Sequence, residues 1–198
     1  MVPRQNLAVD LRAWMLADHA GLAERFDQSI GRIVPPARWR EQADGGGSSI
    51  AWLLLHTALH EDLAVSTAVR GTPPHRVRWQ SDLGLSSFPA HAGLGEAEDV
   101  AVTGAVDLDA LVAFGGAVHR DVDEWLSSVE PAALDDVPPA STRIEELAGV
   151  TTAAVPWLHA MWQDKPVDWF VRWESIGHRQ GHLGEMISVR NRLGLSPF

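Results

Sequence analysis

Ile176-Gly177-His178-Arg179-Gln180-Gly181-His182-Leu183-Gly184-Glu185 stands near the end of a chain of 198 residues, and the segment around it, about Trp169 to Leu193, reads as one long helix. Val171, His178, His182, Glu185 and Val189 lie near one another on its surface, because residues three, four and seven apart share a helical face. Gly194 and Pro197 end it, and Arg190 and Arg192 suit the negative end of its dipole. His178 and His182 are one turn apart, a spacing that lets two imidazoles reach one metal ion. Such a pair also arises by chance or as hydrogen-bonded core groups, so it needs a third partner. Gly177, Gly181 and Gly184 each cost about 1 kcal/mol in a helix interior relative to alanine. That cost points either to close approach of a ligand to the backbone or to tight packing of another helix.

Working back toward the amino terminus, a second helix follows the Gly45-Gly46-Gly47 turn, capped by Ser48 or Ser49, and reaches about Arg70, where Gly71 and Pro73-Pro74 stop it. Trp52, Leu55, His56, Leu59, His60 and Leu63 share one of its faces, so His56 belongs to a buried stripe and is a candidate for the third imidazole. His60, one turn on, is read as a buried histidine bonded to a carboxylate, with a fourth-ligand or substrate-contact role as the alternative. Glu61 and Asp62 are read as surface charges or as groups behind the ligands. A helix from about Leu7 to Ile30 carries Leu7, Leu11, Trp14, Leu22 and Phe26 at three- and four-residue steps. Another, capped by Asp107 and reaching about Val129, carries Leu108, Leu111, Val118, Val122, Trp125 and Val129. His119 on that helix is read as structural, and His19, His75, His91 and His159 have no partner that spacing identifies.

Four helices of about 22 residues, each roughly 33 Å long at 1.5 Å per residue, suit an all-α four-helix bundle forming a single domain over residues 1–198. Two long connections, roughly 72–106 and 130–168, allow crossovers, so simple up-down-up-down order is not required. Thr142-Arg143-Ile144-Glu145 in the second reads as a capping box opening a short helix. Both connections are rich in Gly, Pro and Trp and are read as lids over one end of the bundle. The Trp157, Trp162, Trp169 and Trp173 group is read as core packing, with the wall of a pocket as the alternative.

Composition narrows the function. Sixteen basic against 26 acidic residues give a net charge of -10, which repels phosphate backbones and anionic lipid, so neither nucleic acid nor membrane is an expected partner. The cysteine count is zero, which excludes disulfides, thiolate metal sites and a cysteine nucleophile. No export signal opens the sequence and no apolar run of roughly 18 residues occurs, so a cytoplasmic location is expected.

The pattern His178-x-x-x-His182-x-Gly184-Glu185, followed by Arg190 and Leu193-Gly194, resembles the last helix of DinB-like proteins, which include the YfiT-like group and thiol-dependent transferases. The segment from Trp52 to Glu61 resembles that family's second helix, and the match places the third ligand on His56. The resemblance implies a divalent metal held by His56, His178 and His182, with zinc or nickel suiting the nitrogen ligands and iron as a third choice. It also implies a low-molecular-weight thiol such as mycothiol or bacillithiol as cosubstrate, a small electrophile as substrate, and a homodimer. Glu174 and Glu185 lie one turn from a ligand and are candidates to orient an imidazole or move a proton. A metal-dependent hydrolase, and a non-catalytic metal-stabilised bundle acting in self-association, are the alternatives. The helical zinc-protease signature His-Glu-x-x-His is absent from the sequence.

Overall fold

The structure, a computed structural model, describes residues 10–198. The expected start of the first helix at Leu7 lies outside the described residues. From Asp10, whose carboxylate caps the Ala13 amide, α1 runs over Leu11–Phe26 and continues as a wider π-wound stretch, Asp27–Gly31. Ser49 caps α2, Ile50–Glu61, by accepting from the Trp52 amide, and a π-wound stretch, Asp62–Val69, extends it. Short helices α3, Arg76–Trp79, and α4, Val100–Ala105, occupy the first long connection. Asp107 caps α5, Leu108–Ser128, through the Ala110 amide. The second long connection holds α6, Ala140–Ala148, and α7, Pro156–Trp162. The last rod is α8, Val167–Phe170, then π-wound Val171–His178, then α9, Arg179–Arg192.

Contacts between the rods fix their directions. Arg12 on α1 donates to the Val129 carbonyl just past α5, so these two are antiparallel. Gly115 lies beside Ala58 and Arg70 pairs with Asp121, so α2 and α5 run the same way. His60 meets Glu174 and His56 meets His178, so α2 and the last rod are antiparallel. The order is up-down-down-up, and the parallel step from α2 to α5 is what the 72–106 connection spans. Eleven of the twelve residues of α2 are buried, which makes it the central rod and explains why it is apolar nearly all round.

Several expected placements differ. On α1 the buried residues are Met15, His19 and Leu22, while Leu11 and Trp14 are 40% and 49% exposed. The true inward stripe carries a histidine, which a hydrophobic pattern passes over. Glu61 and Asp62 are each 1% exposed, not surface charges. Asp62 accepts from the His75 and Arg76 amides at 2.8 and 2.9 Å, which ties the first connection to α2. Thr142 caps nothing: α6 begins two residues earlier, after Pro138-Pro139, and Thr142 and Glu145 both sit inside it. From α6, Arg143 donates to the Ala68 and Val69 carbonyls, closing the end of the second rod. Gly181 and Gly184 face open space, with nothing within 4 Å of an added Cβ, so neither tight helix packing nor a backbone contact explains them.

Candidate metal centre

Antiparallel packing of α2 on the last rod sets His56 against His178 and His182. One ligand atom from each lies within 4.8 Å of the other two, with His56 Nε2 3.2 Å from His178 Nε2 and His182 Nε2 2.9 Å from it. Two nitrogens each about 2.0–2.1 Å from one ion, at angles between octahedral and tetrahedral, stand roughly 2.9–3.4 Å apart. The observed separations fit that interval.

The other ring nitrogens explain why the Nε2 atoms converge. His56 Nδ1 donates at 3.0 Å to the Gly93 carbonyl, which only accepts, so its Nε2 presents a lone pair. His182 Nδ1 faces the Glu185 carboxylate at 3.0 Å, with the same consequence. His178 Nδ1 is 3.5 Å from Glu174 Oε2. Its Nε2 cannot donate to both neighbours at once. The His56 and His182 lone pairs both face His178 Nε2, which by donating can satisfy only one of them, whereas a cation among the three satisfies all; acceptors behind the His56 and His182 rings are how metal-binding histidines are held. Burial, joined by the charge of His60, pushes His56 and His178 down to about 3, so both are neutral at pH 7 and need shed no proton to coordinate. His56 is buried, whereas His178 and His182 are half-buried, which leaves one side of the trio accessible.

Gly93 owes its identity to this role. Its φ of +92° favours glycine, and a Cβ there would collide with Leu59 Cδ1. The 72–106 connection thus packs along α2, and it delivers a second carbonyl, Leu94 O, to His60 Nε2 at 3.1 Å. His60 Nδ1 meets Glu174 Oε2 at 3.2 Å. With acceptors on both sides, His60 is a hydrogen-bonded core histidine, although it, Glu174 and His178 also bring ligand atoms within 4.8 Å of one another. Burial lowers its pKa, but the Glu174 and Leu94 contacts overcome this and raise it overall. Glu174 also accepts from Trp162 Nε1 at 2.6 Å. Trp157 stacks on His60 with ring centroids 6.0 Å apart. Trp162, Phe170, Trp169 and Trp173 form a run of ring contacts leading away from the site, so the tryptophans divide between core packing and one ring beside the site.

Spacing gave no hint of a second polar cluster, at the bundle axis. His19 lies between Asp123 and Glu61, each at 2.6 Å, and stacks on His119 with centroids 4.2 Å apart. His19, Glu61 and His119 have the spacing of metal ligands, but Arg179 Nη1 stands among them, 2.8 Å from Glu61 Oε2 and 2.9 Å from His119 Nδ1. The guanidinium fills the place an ion would take. Against its burial, Glu61 is brought down to about 2 by Arg179 and His19. His119 is pushed down to about 4 by burial and by Arg179. The signal available in the sequence was positional: Met15, His19 and Leu22 share a face of α1, as do Leu54, Ala58 and Glu61 of α2. His75 and His159 are also structural, bonded to Asp121 and to Ser141 and Val150.

An up-down-down-up bundle carrying three convergent imidazoles on its second and last rods defines a class of helical proteins equipped to hold a divalent metal. The DinB superfamily profile matches residues 22–186, and the chain belongs to that superfamily. Among solved structures it is similar to one described as a conserved protein of locus from Enterococcus faecalis, with a TM-score of 0.64 and 17% identity, over 94% of this chain and 99% of that one. At that identity the likeness shows the fold alone. No curated protein matches the chain. Among the described residues, no helix is long and apolar enough to cross a membrane.

Proposed function

We propose that the protein holds one divalent metal ion, zinc or nickel in preference to iron, through His56, His178 and His182, and transfers a small electrophile to a low-molecular-weight thiol of the mycothiol type. The observation that carries the metal reading is the convergence of three Nε2 atoms within ligand distance of one another, with acceptors behind the His56 and His182 rings. Three ligands on one side of an ion leave positions for a substrate, as catalytic sites do and closed structural sites do not. Bound there, the ion would supply a Lewis acid that keeps a coordinating thiol ionised near neutral pH.

The chain's own residues do the rest. Gly93 and Glu185 fix the His56 and His182 tautomers, and Glu174 braces His60. With zero cysteines in the sequence, no internal thiolate competes with an incoming one. Glu174 is held by Trp162 and His60, and Glu185 by His182. Glu174, buried and engaged on both oxygens, is therefore not disengaged to deprotonate water, which favours a reaction whose nucleophile arrives from outside over hydrolysis by that group.

The first test is metal analysis by mass spectrometry of untagged protein beside the His56→Ala and His182→Ala variants. About one metal per chain in the native protein, lost in both variants, is the expected result; metal-free native protein after growth in supplemented medium would remove the basis for the reading. Assays pairing mycothiol or bacillithiol with small electrophiles then test the transfer, and a metal-loaded protein inactive with every pair would leave a non-catalytic bundle.

A further inference from the structure

A cavity of about 170 Å³ lies between the four long rods, on the side of α2 and the last rod away from the three imidazoles. The two rods separate the sites by helical phase. On α2, His56 and His60 face one way and Leu54, Ala58 and Glu61 the other; on the last rod, His178 and His182 face one way and Arg179, Leu183 and Met186 the other. Small residues keep the space open: Ala23 on α1, Ala58 on α2 and the Gly115-Gly116 pair on α5 stand where a closed bundle carries large side chains. Most of the rest of the wall is apolar, Leu22, Phe26, Leu54, Val112, Leu183 and Met186, with Thr57 among it, and its charged and imidazole groups are Glu61, His119 and Arg179.

Arg179 is what gives the cavity a chemistry. Its Nη1 serves Glu61 Oε2 and His119 Nδ1, with His19 Nε2 also 3.1 Å away. The N–H groups on Nε and Nη2 have no protein acceptor among the described residues, and the side chain is only 16% exposed. Glu61 is already committed on both oxygens, to His19 and to Arg179. A half-buried guanidinium with spare donors at the end of an apolar space is matched by a carboxylate, which accepts two parallel N–H bonds from arginine.

We infer that this cavity is a second ligand site, distinct from the metal centre, for a compact aromatic or branched aliphatic carboxylate whose head group is held by Arg179. A cavity of about 150 Å³ takes benzene, which sets the ligand at on the order of ten heavy atoms. Apolar burial supplies the affinity and the guanidinium sets the orientation.

The test is a fluorine NMR titration of the metal-loaded, full-length protein with 4-fluorophenylacetate, run beside 2-(4-fluorophenyl)ethanol, which keeps the ring and lacks the carboxylate. Gly115→Leu is designed to fill the cavity, and its Cβ enters in ordinary contact, meeting Ala58 Cβ at 3.8 Å and Leu54 Cδ1 at 3.9 Å. Arg179→Lys keeps a charge opposite Glu61 while losing the planar fork. Saturable binding of the carboxylate, weakened about tenfold or more in Gly115→Leu and Arg179→Lys and weaker for the alcohol, is expected, with metal content unchanged in Gly115→Leu. Binding that survives Gly115→Leu undiminished would place the carboxylate elsewhere, on the metal for instance, and overturn the inference. So would the absence of any saturable shift at millimolar ligand.

Discussion

Gly93 shows how much one backbone atom can govern. Its carbonyl is the acceptor that turns the His56 lone pair toward His178, and it reaches that position only because φ is +92° and no side chain meets Leu59. Gly93→Ala should therefore strain the connection, tilt the His56 ring and weaken metal affinity by about 10- to 100-fold, as loss of support behind a ligand does elsewhere. Competition titration against a chromophoric chelator measures this, and unchanged affinity would show that His56 needs no such support. The three histidines that converge were legible in the sequence because helical spacing is a local rule: His178 and His182 are one turn apart, and His56 lies in an apolar stripe. Gly93 was not legible, since its contact with His56 depends on how a 35-residue connection folds back. The roles of Glu61 and Asp62 were hidden for a related reason: a carboxylate is buried when it finds partners, and those partners are distant in sequence.

At the scale of the element, the caps set the rods. Ser49 and Asp107 begin α2 and α5 where their spacing suggested, because an N-cap needs only a side chain three residues from an amide. Thr142 met the same local rule and lost to Pro138-Pro139, which start α6 earlier. On α1 the inward face follows Met15, His19 and Leu22 in place of the Leu11 and Trp14 positions, since His19 is carried inside by two carboxylates. Gly181 and Gly184 on α9 have open space around them and no packing demand. Alanine at both should stabilise the protein by about 0.5–1 kcal/mol each, a rise of a few degrees in Tm for a chain of this size. Calorimetric melts of the double variant measure it. A fall in Tm would mean that the glycines serve the fold in a way their open surroundings conceal, whereas a rise in Tm with weakened metal or thiol binding would mean that they keep the approach to His178 and His182 clear.

Across the whole molecule, Glu61 joins three of the four rods: it bonds His19 on α1 and Arg179 on α9 from its own place on α2, and Asp123 on α5 completes the cluster through His19. Glu61→Gln leaves Arg179 without its counter-charge and His19 with Asp123 alone, and should cost about 3 kcal/mol of stability, the lower end of what removing one partner from a buried pair costs. The pH dependence has a definite sign. Glu61 is held at about 2 against an ordinary 4.5, so its stabilisation is complete above pH 4.5 and is lost as pH falls from there toward 2. His56, His178 and His119, held at about 3, 3 and 4, remain unprotonated in the fold while their unfolded counterparts take up protons below 6.5, which lowers stability as acid is added. His19 acts in the other direction: its pKa is raised overall despite its burial, because Glu61 and Asp123 favour its charged form, so its contribution is present below 6.5 and fades as pH climbs through the raised value. Denaturant titrations of metal-free protein in chelator should therefore show stability falling steadily below pH 6.5. The stretch between 4.5 and 2 should be distinctly flatter in Glu61→Gln, because its amide has no proton to gain. Equal slopes in the two proteins would mean that Glu61 is not the charged hub of the bundle, and that the convergence of His19, His119 and Arg179 on it is packing alone.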